Sequence, residues 1–206
     1  MIAYGCCVGD WDRFYRYVLP AAGRKGPCFA LSGHNSIAAV YNKILTLCLP
    51  QDLDALILLH DDLEIIDPDA EAKFLEVLKD PEVALVGVAG ARGIPGLAWW
   101  NGDTVGHQQI ETQMIDFGER SGDVDALEGS ILVFSPWAIR FLRFDPQPGF
   151  HGYDVGICRK ARGYQRRVVV ADVDTFHHTV LGFKSKDSQT EWQQAEAYYQ
   201  AKWGPK

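Results

Sequence analysis

Residues that could do chemistry fall in three places along the chain. His60, Asp61 and Asp62 follow one another with Glu64 close behind, Asp154 stands in a turn-rich stretch, and His177 and His178 are adjacent near the carboxyl end. An imidazole and carboxylates held together can share one divalent cation through nitrogen and oxygen ligands, and that cation can then hold a diphosphate. A separate carboxylate within reach of a hydroxyl can take its proton. Each group also has a blander use: a solvated acidic turn closing a core strand, a helix N-cap at Asp154, a hydrogen-bonded polar residue at either late histidine. Because adjacent side chains alternate, only one of His177 and His178 can face a site.

The elements that must position these groups are legible as a pattern. Ala55 to Leu59 is an apolar run ending at the acidic station, which reads as a strand buried on both faces. Before it come a strand over 2–8, a helix from Trp11 to Leu19 capped by Asp10 and ended by Pro20, a strand over 27–31, and a helix from Ser36 through Cys48. After it, Asp67 and Pro68 open a helix to about Lys79, and Val83 to Val88 is a further strand. The order is βαβαβαβ, which predicts an α/β domain with a central, mostly parallel sheet flanked by helices and its strand ends at one rim.

Beyond Val88 the pattern loosens. Ala89 to Gln113 is glycine-rich and aperiodic and reads as a long lid or binding loop, with Trp99 and Trp100 placed either to stack on a sugar ring or to plug the loop down. Leu127 to Phe134 reads as a strand, Pro136 to Arg143 as a helix, Asp154 as the cap of another, and Val168 to Ala171 as a late strand. His177 and His178 fall in a loop, and a closing helix spans about 187–203. The whole of 1–206 reads as one domain: a donor half to about residue 88, an acceptor half to about 186, then the closing helix.

Composition excludes several classes. A net charge of -7 argues against nucleic acid as the main partner, because that affinity needs clustered cations. Arg159, Lys160, Arg162, Arg166 and Arg167 form a local basic run that reads as a solvated helix face. The 5 cysteines show no CxxC spacing and lie mostly in apolar runs, as buried thiols of a reducing compartment do. With no signal-peptide pattern and no apolar run near ~20 residues, a soluble, cytoplasmic protein without a transmembrane segment is expected.

Taken together, several stretches resemble the small bacterial nucleotide-sugar glycosyltransferases of the GT-A (Rossmann-like) fold, similar to family 2. NSIAAVYNKIL is similar to that family's helix beside the donor nucleotide, with Asn42 at its asparagine. The Asp-x-Asp motif falls on His60, Asp61 and Asp62, with His60 in place of the first Asp. LEGSILVFSP resembles the acceptor-side strand, with Gly129 at its glycine, and GFHGYDVGICRKARGY resembles the family's acidic helix start. HHTVLGFKS resembles its late histidine loop.

The resemblance implies a metal-dependent glycosyltransferase using a nucleotide-sugar donor, a UDP-sugar favoured, and an acceptor that the sequence does not name, a saccharide being one candidate. It implies Asp62 as metal ligand with His60 and with His177 or His178, Asp61 toward the donor ribose or sugar, Asp154 as general base, and Lys184 with Ser185 near phosphate. The divalent cation would be Mn2+ or Mg2+. Tyr4 and Trp11 offer aromatic surface for the base, and are equally readable as core; Trp99, Trp100 and Gly129 fall on the acceptor side. Two alternatives stay open: a metal-dependent phosphoesterase or nucleotidyltransferase, and a nucleotide-binding module without turnover.

Overall fold

The computed structural model describes residues 1–22, 26–146, 149–178 and 186–204, with side chains of 186–188 left aside. In chain order, β1 (Ile2–Val8) leads into α1 (Trp11–Arg13), a π-helical turn (Phe14–Val18) and α2 (Leu19–Ala22). Then come β2 (Cys28–Ser32), α3 (Ile37–Cys48), β3 (Ala55–His60), β4 (Leu63–Ile65), α4 (Ala70–Leu78), β5 (Val83–Gly87) and β6 (Ala89–Arg92). A 3-10 turn (Trp99–Asn101) precedes β7 (Asp103–Ile110), β8 (Gln113–Asp116), β9 (Gly122–Asp123), β10 (Ala126–Leu127) and β11 (Ile131–Phe134). Finally come α5 (Pro136–Phe141), α6 (Tyr153–Gly163), β12 (Arg167–Val170), β13 (Thr175–His177) and α7 (Lys186–Trp203).

Seven strands form the main sheet in the order β2-β1-β3-β11-β5-β12-β9. β1 pairs in parallel with β2 and β3, and β5 with β12, as the crossover pattern predicts. Two strands run against the rest: β11, antiparallel between β3 and β5, and β9, antiparallel to β12 at the edge. Ala55 to Leu59 are all at 0% exposure, and their alternation divides the interior. Leu56 and Leu58 join the core under α3, α5, α6 and α7, while Ala55, Ile57 and Leu59 join Phe14, Val18 and Phe74 on the opposite face. A strand buried on both faces has no polar position to offer until it ends.

Three expectations need correction. The stretch 89–113 is not a loop: β6 and β7 pair with each other inside a second sheet, β10-β6-β7-β13-β4, to which β8 adds. Its glycines hid the strands, yet Gly106 is needed there, at φ 102°, where a Cβ would stand 2.1 Å from the Val88 carbonyl oxygen. Pro20 does not end its helix. Leu19 N–H donates to the Phe14 carbonyl, and this wider turn lets the chain run on to Ala22 past the proline's missing donor. His177 lies in a strand rather than a loop. Among the described residues no helix is long and apolar enough to cross a membrane.

Candidate active site

His60 ends β3, and the chain turns through Asp61 and Asp62 into β4, which leaves the main sheet for the second. β13 pairs antiparallel with β4, setting His177 opposite Leu63, while His178 N–H donates to the Asp62 carbonyl at 2.9 Å. That register brings the late histidine to the acidic turn. His177 Nε2 stands 3.3 Å from Asp62 Oδ1, and His60 Nδ1 stands 3.9 Å from the same oxygen. One ligand atom from each of the three residues lies within 4.8 Å of the others.

At metal–ligand bonds of about 2.1 Å, neighbouring ligand atoms of an octahedral ion stand about 3 Å apart, so small side-chain rotations suffice to close on a cation. Two imidazoles and one carboxylate form a mixed donor set that suits Mn2+ better than Mg2+, which prefers oxygen alone. The imidazole of His60 is also held in the correct tautomer. Tyr153 donates its one hydroxyl hydrogen to the Gly129 carbonyl at 2.8 Å, so at 2.7 Å its oxygen must accept from His60 Nε2. The lone pair then sits on Nδ1, facing Asp62. Burial holds the His60 pKa below its usual value, opposed by the Asp62 charge, so the ring stays neutral.

Gly129 belongs to this arrangement. A Cβ there would lie 2.4 Å from the Tyr153 hydroxyl, so glycine lets the phenol reach the carbonyl. Tyr153→Phe removes the acceptor that fixes the His60 tautomer, and should cost about 10- to 100-fold in divalent-cation affinity. Titrating Mn2+ into both proteins measures it; equal affinity would remove Tyr153 from the site.

The neighbouring residues divide between support and site. Asp61 Oδ2 accepts from Gly9 N–H and Asp10 N–H, both at 2.7 Å, tying the end of β3 to the turn that begins α1. Asp10 caps α1, and Arg13 thereby comes within 3.8 Å of Asp62. His178 is turned the other way, stacked on Tyr17 at 3.6 Å with its Nε2 2.9 Å from Glu64, so strand alternation leaves His177 alone in the cation group. Tyr4 is not on the crevice: it is a core residue at 2% exposure whose hydroxyl donates to Glu71. Trp11 is 41% exposed and packs on Phe14 and Tyr15. Lys184 and Ser185 lie outside the described residues.

Asn42 has a structural use. Its Nδ2 donates to the Phe144 carbonyl at 3.0 Å and its Oδ1 accepts from Phe144 N–H at 2.8 Å, clamping α3 to the segment after α5. Asn42→Ala strands both backbone groups and should lower stability by about 2–4 kcal/mol in urea unfolding, with nucleotide affinity unchanged. A selective loss of nucleotide affinity would instead put Asn42 at the donor.

Beside the cation group opens a cavity of about 590 Å³, into which His60, His177, Glu128 and Asp154 project. Asp154 is not the cap of α6. Gly152, at φ 75°, takes that place, and Asp154 falls in the first turn. Burial pushes its carboxyl up to about 7, with the Glu128 charge adding to the rise and the Val155 N–H opposing it. The tryptophans separate: Trp99 is buried at 6% against Phe117, whereas Trp100 is 50% exposed and packs on Trp192 of α7 at 5.5 Å. Glu128, Arg13 and Trp192 went unread in the sequence. Glu128 sits within LEGS, where a charged residue beside a glycine in a strand-like run was the available signal.

The basic run on and after α6 is a set of latches. Arg162 pairs with Asp125, Arg167 with Asp80 and Asp123, and Lys160 with Asp145, while Arg159 donates to the Tyr199 hydroxyl.

Comparison with known proteins bears on the family and the fold. The streptomycin biosynthesis protein StrF of Streptomyces griseus is 31% identical over 188 residues, covering 86% of this chain and 66% of its own length, so the chain spans just under two thirds of that relative. Among solved structures, GalNAc-T7 with UDP, GalNAc and Mn2+ superposes with a TM-score of 0.64 at 10% identity, over 95% of this chain and 47% of its own. A197 from STIV superposes with a TM-score of 0.55 at 13% identity, over 87% of this chain and 86% of its own. At such identities the likeness is one of fold, a mixed α/β domain similar to GT-A glycosyltransferases. A model described as glycosyltransferase like family matches residues 16–200, and the chain belongs to that family.

Proposed function

We propose that this glycosyltransferase moves a sugar from a nucleoside diphosphate sugar, a UDP-sugar favoured, to an acceptor hydroxyl. The observation that carries the reading is the junction of His60, Asp62 and His177 with a cavity holding Asp154. His60 Nδ1, Asp62 and His177 Nε2 would hold a divalent cation, with Mn2+ the better fit. Such an ion, when bound, stabilises the negative charge that builds on a departing diphosphate. Arg13, beside Asp62, adds a cation on the α1 side of the same position.

Asp154 accepts the acceptor hydroxyl's proton as its oxygen bonds to the anomeric carbon; the bond from that carbon to the diphosphate breaks, and its electron pair leaves with the diphosphate. Support for uridine comes from the GalNAc-T7 structure, which shares the fold and holds UDP. The phosphoesterase alternative calls for two ions, whereas the described residues offer one such group.

Calorimetric titration of UDP, GDP, ADP and CDP, with and without Mn2+, tests the donor half. One nucleotide is expected to bind, and only with the metal. Binding of none would return the phosphoesterase reading.

A further inference from the structure

The cavity's charge and its walls together say something about the acceptor. Two carboxylates, Glu128 and Asp154, project into it, close enough for the charge of the first to act on the second. The basic side chains of α6 do not answer them: Arg159 is directed to Tyr199, Lys160 to Asp145 and Arg162 to Asp125.

Glu128 is held rigidly. Its Oε2 accepts from the Ser130 N–H at 2.9 Å and from the Ser130 hydroxyl, and its own N–H donates to the Ala89 carbonyl. Among the described residues its Oε1 has no partner. The Glu128 charge adds to the cost of ionising Asp154, and a cation seated on Glu128 relieves it.

The same cavity has an aromatic wall. Trp100 and Trp192 pack on each other with ring planes 33° apart, Trp99 meets Trp100 edge-on at 6.0 Å, and Phe150 is 48% exposed at the same cavity. Aromatic faces attract cations through the ring quadrupole, and they also accept the apolar faces of a small ring. A neutral sugar would lay its ring on the wall and give Glu128 a neutral hydroxyl hydrogen bond; an ammonium group gives Glu128 a stronger, charge-assisted one and also meets the ring faces.

We propose that the acceptor is a small molecule carrying a protonated amine as well as a hydroxyl, with the amine on Glu128 against the Trp100–Trp192 wall and the hydroxyl on Asp154. The division of labour follows from geometry: Ser130 fixes Glu128 as a binding group, while Asp154, in the first turn of α6, is kept for the proton. This rests on the transferase reading and names the substrate class of its acceptor site.

The test uses a matched pair of probes on one ring, trans-4-aminocyclohexanol and cyclohexane-1,4-diol, followed by tryptophan fluorescence with UDP and Mn2+ present. A charge-assisted hydrogen bond predicts about 10- to 100-fold tighter binding of the amine, and Glu128→Gln, which keeps the shape, should bring the two within about twofold. Equal affinities in the parent protein, failure of the amine to bind, or a preference that survives Glu128→Gln each overturn the inference. The two readings fail separately. Nucleotide binding without amine preference removes this inference alone, whereas amine preference without binding of any nucleotide removes the donor-site reading and leaves a cation-binding cavity.

Discussion

Asp154→Asn should lower sugar transfer by about 10²- to 10⁴-fold, the range that a positioned general base supplies, and at the same time make the folded protein more stable at alkaline pH. Both effects come from one cause. Burial, with Glu128 nearby, raises the Asp154 carboxyl from 3.8 to about 7. Between those values the native state holds the proton while the unfolded chain has lost it, so stability falls as pH rises through that window and levels off above pH ~7. At about 1.4 kcal/mol per unit the penalty reaches on the order of 4 kcal/mol at pH 8.

Asparagine has nearly the same shape and never ionises. Relative to wild type it should therefore gain about 2–4 kcal/mol at pH 8 and less than about 1 kcal/mol at pH 4, where the native side chains are both neutral. Urea unfolding at the two pH values measures the difference, and kcat/KM of the parent should rise through pH ~7 as the base ionises. A variant destabilised equally at both pH values, with transfer retained, would make Asp154 a structural residue of α6.

How far the sequence could carry this account depended on whether a residue's meaning was local. Ala55 to His60 was readable because an apolar run ending in an acidic turn is one strand and its rim, whatever surrounds it. The pairing of His177 with Asp62 was readable only as a resemblance, since it depends on β13 lying beside β4 across more than a hundred residues. The second sheet was hidden for a related reason. Its strands β6 and β7 carry glycines required by close backbone approach, and local pattern scores glycine as loop. Asn42 and Tyr4 depend on the fold in another way: each side chain is polar or aromatic, but a tertiary partner, Phe144 or Glu71, takes up hydrogen bonds that no local pattern shows. Glu128 matters through Ser130 and Asp154 together, a constellation that no spacing encodes.

Asp62→Ala should abolish metal-dependent nucleotide binding, and the size of the effect follows from what Asp62 does for two imidazoles. Its side chain is 12% exposed and is the single carboxylate of the group, with Oδ1 toward His60 and His177 and Oδ2 toward Arg13. Losing it leaves two neutral nitrogens and removes the negative charge that offsets the cation. Outer-shell changes at metal sites cost about 10- to 100-fold, so removing a charged ligand should cost at least ~100-fold in Mn2+ affinity, or about 3 kcal/mol. His177→Ala should lose metal affinity in the same direction while leaving the charge of the site intact, whereas His178→Ala should leave metal affinity unchanged because that ring is stacked on Tyr17. Calorimetry with Mn2+ on the three variants reads all of this directly. Asp62→Ala binding Mn2+ as tightly as the parent would overturn the site, and His178→Ala losing affinity in place of His177→Ala would move the second imidazole ligand to the other face of β13.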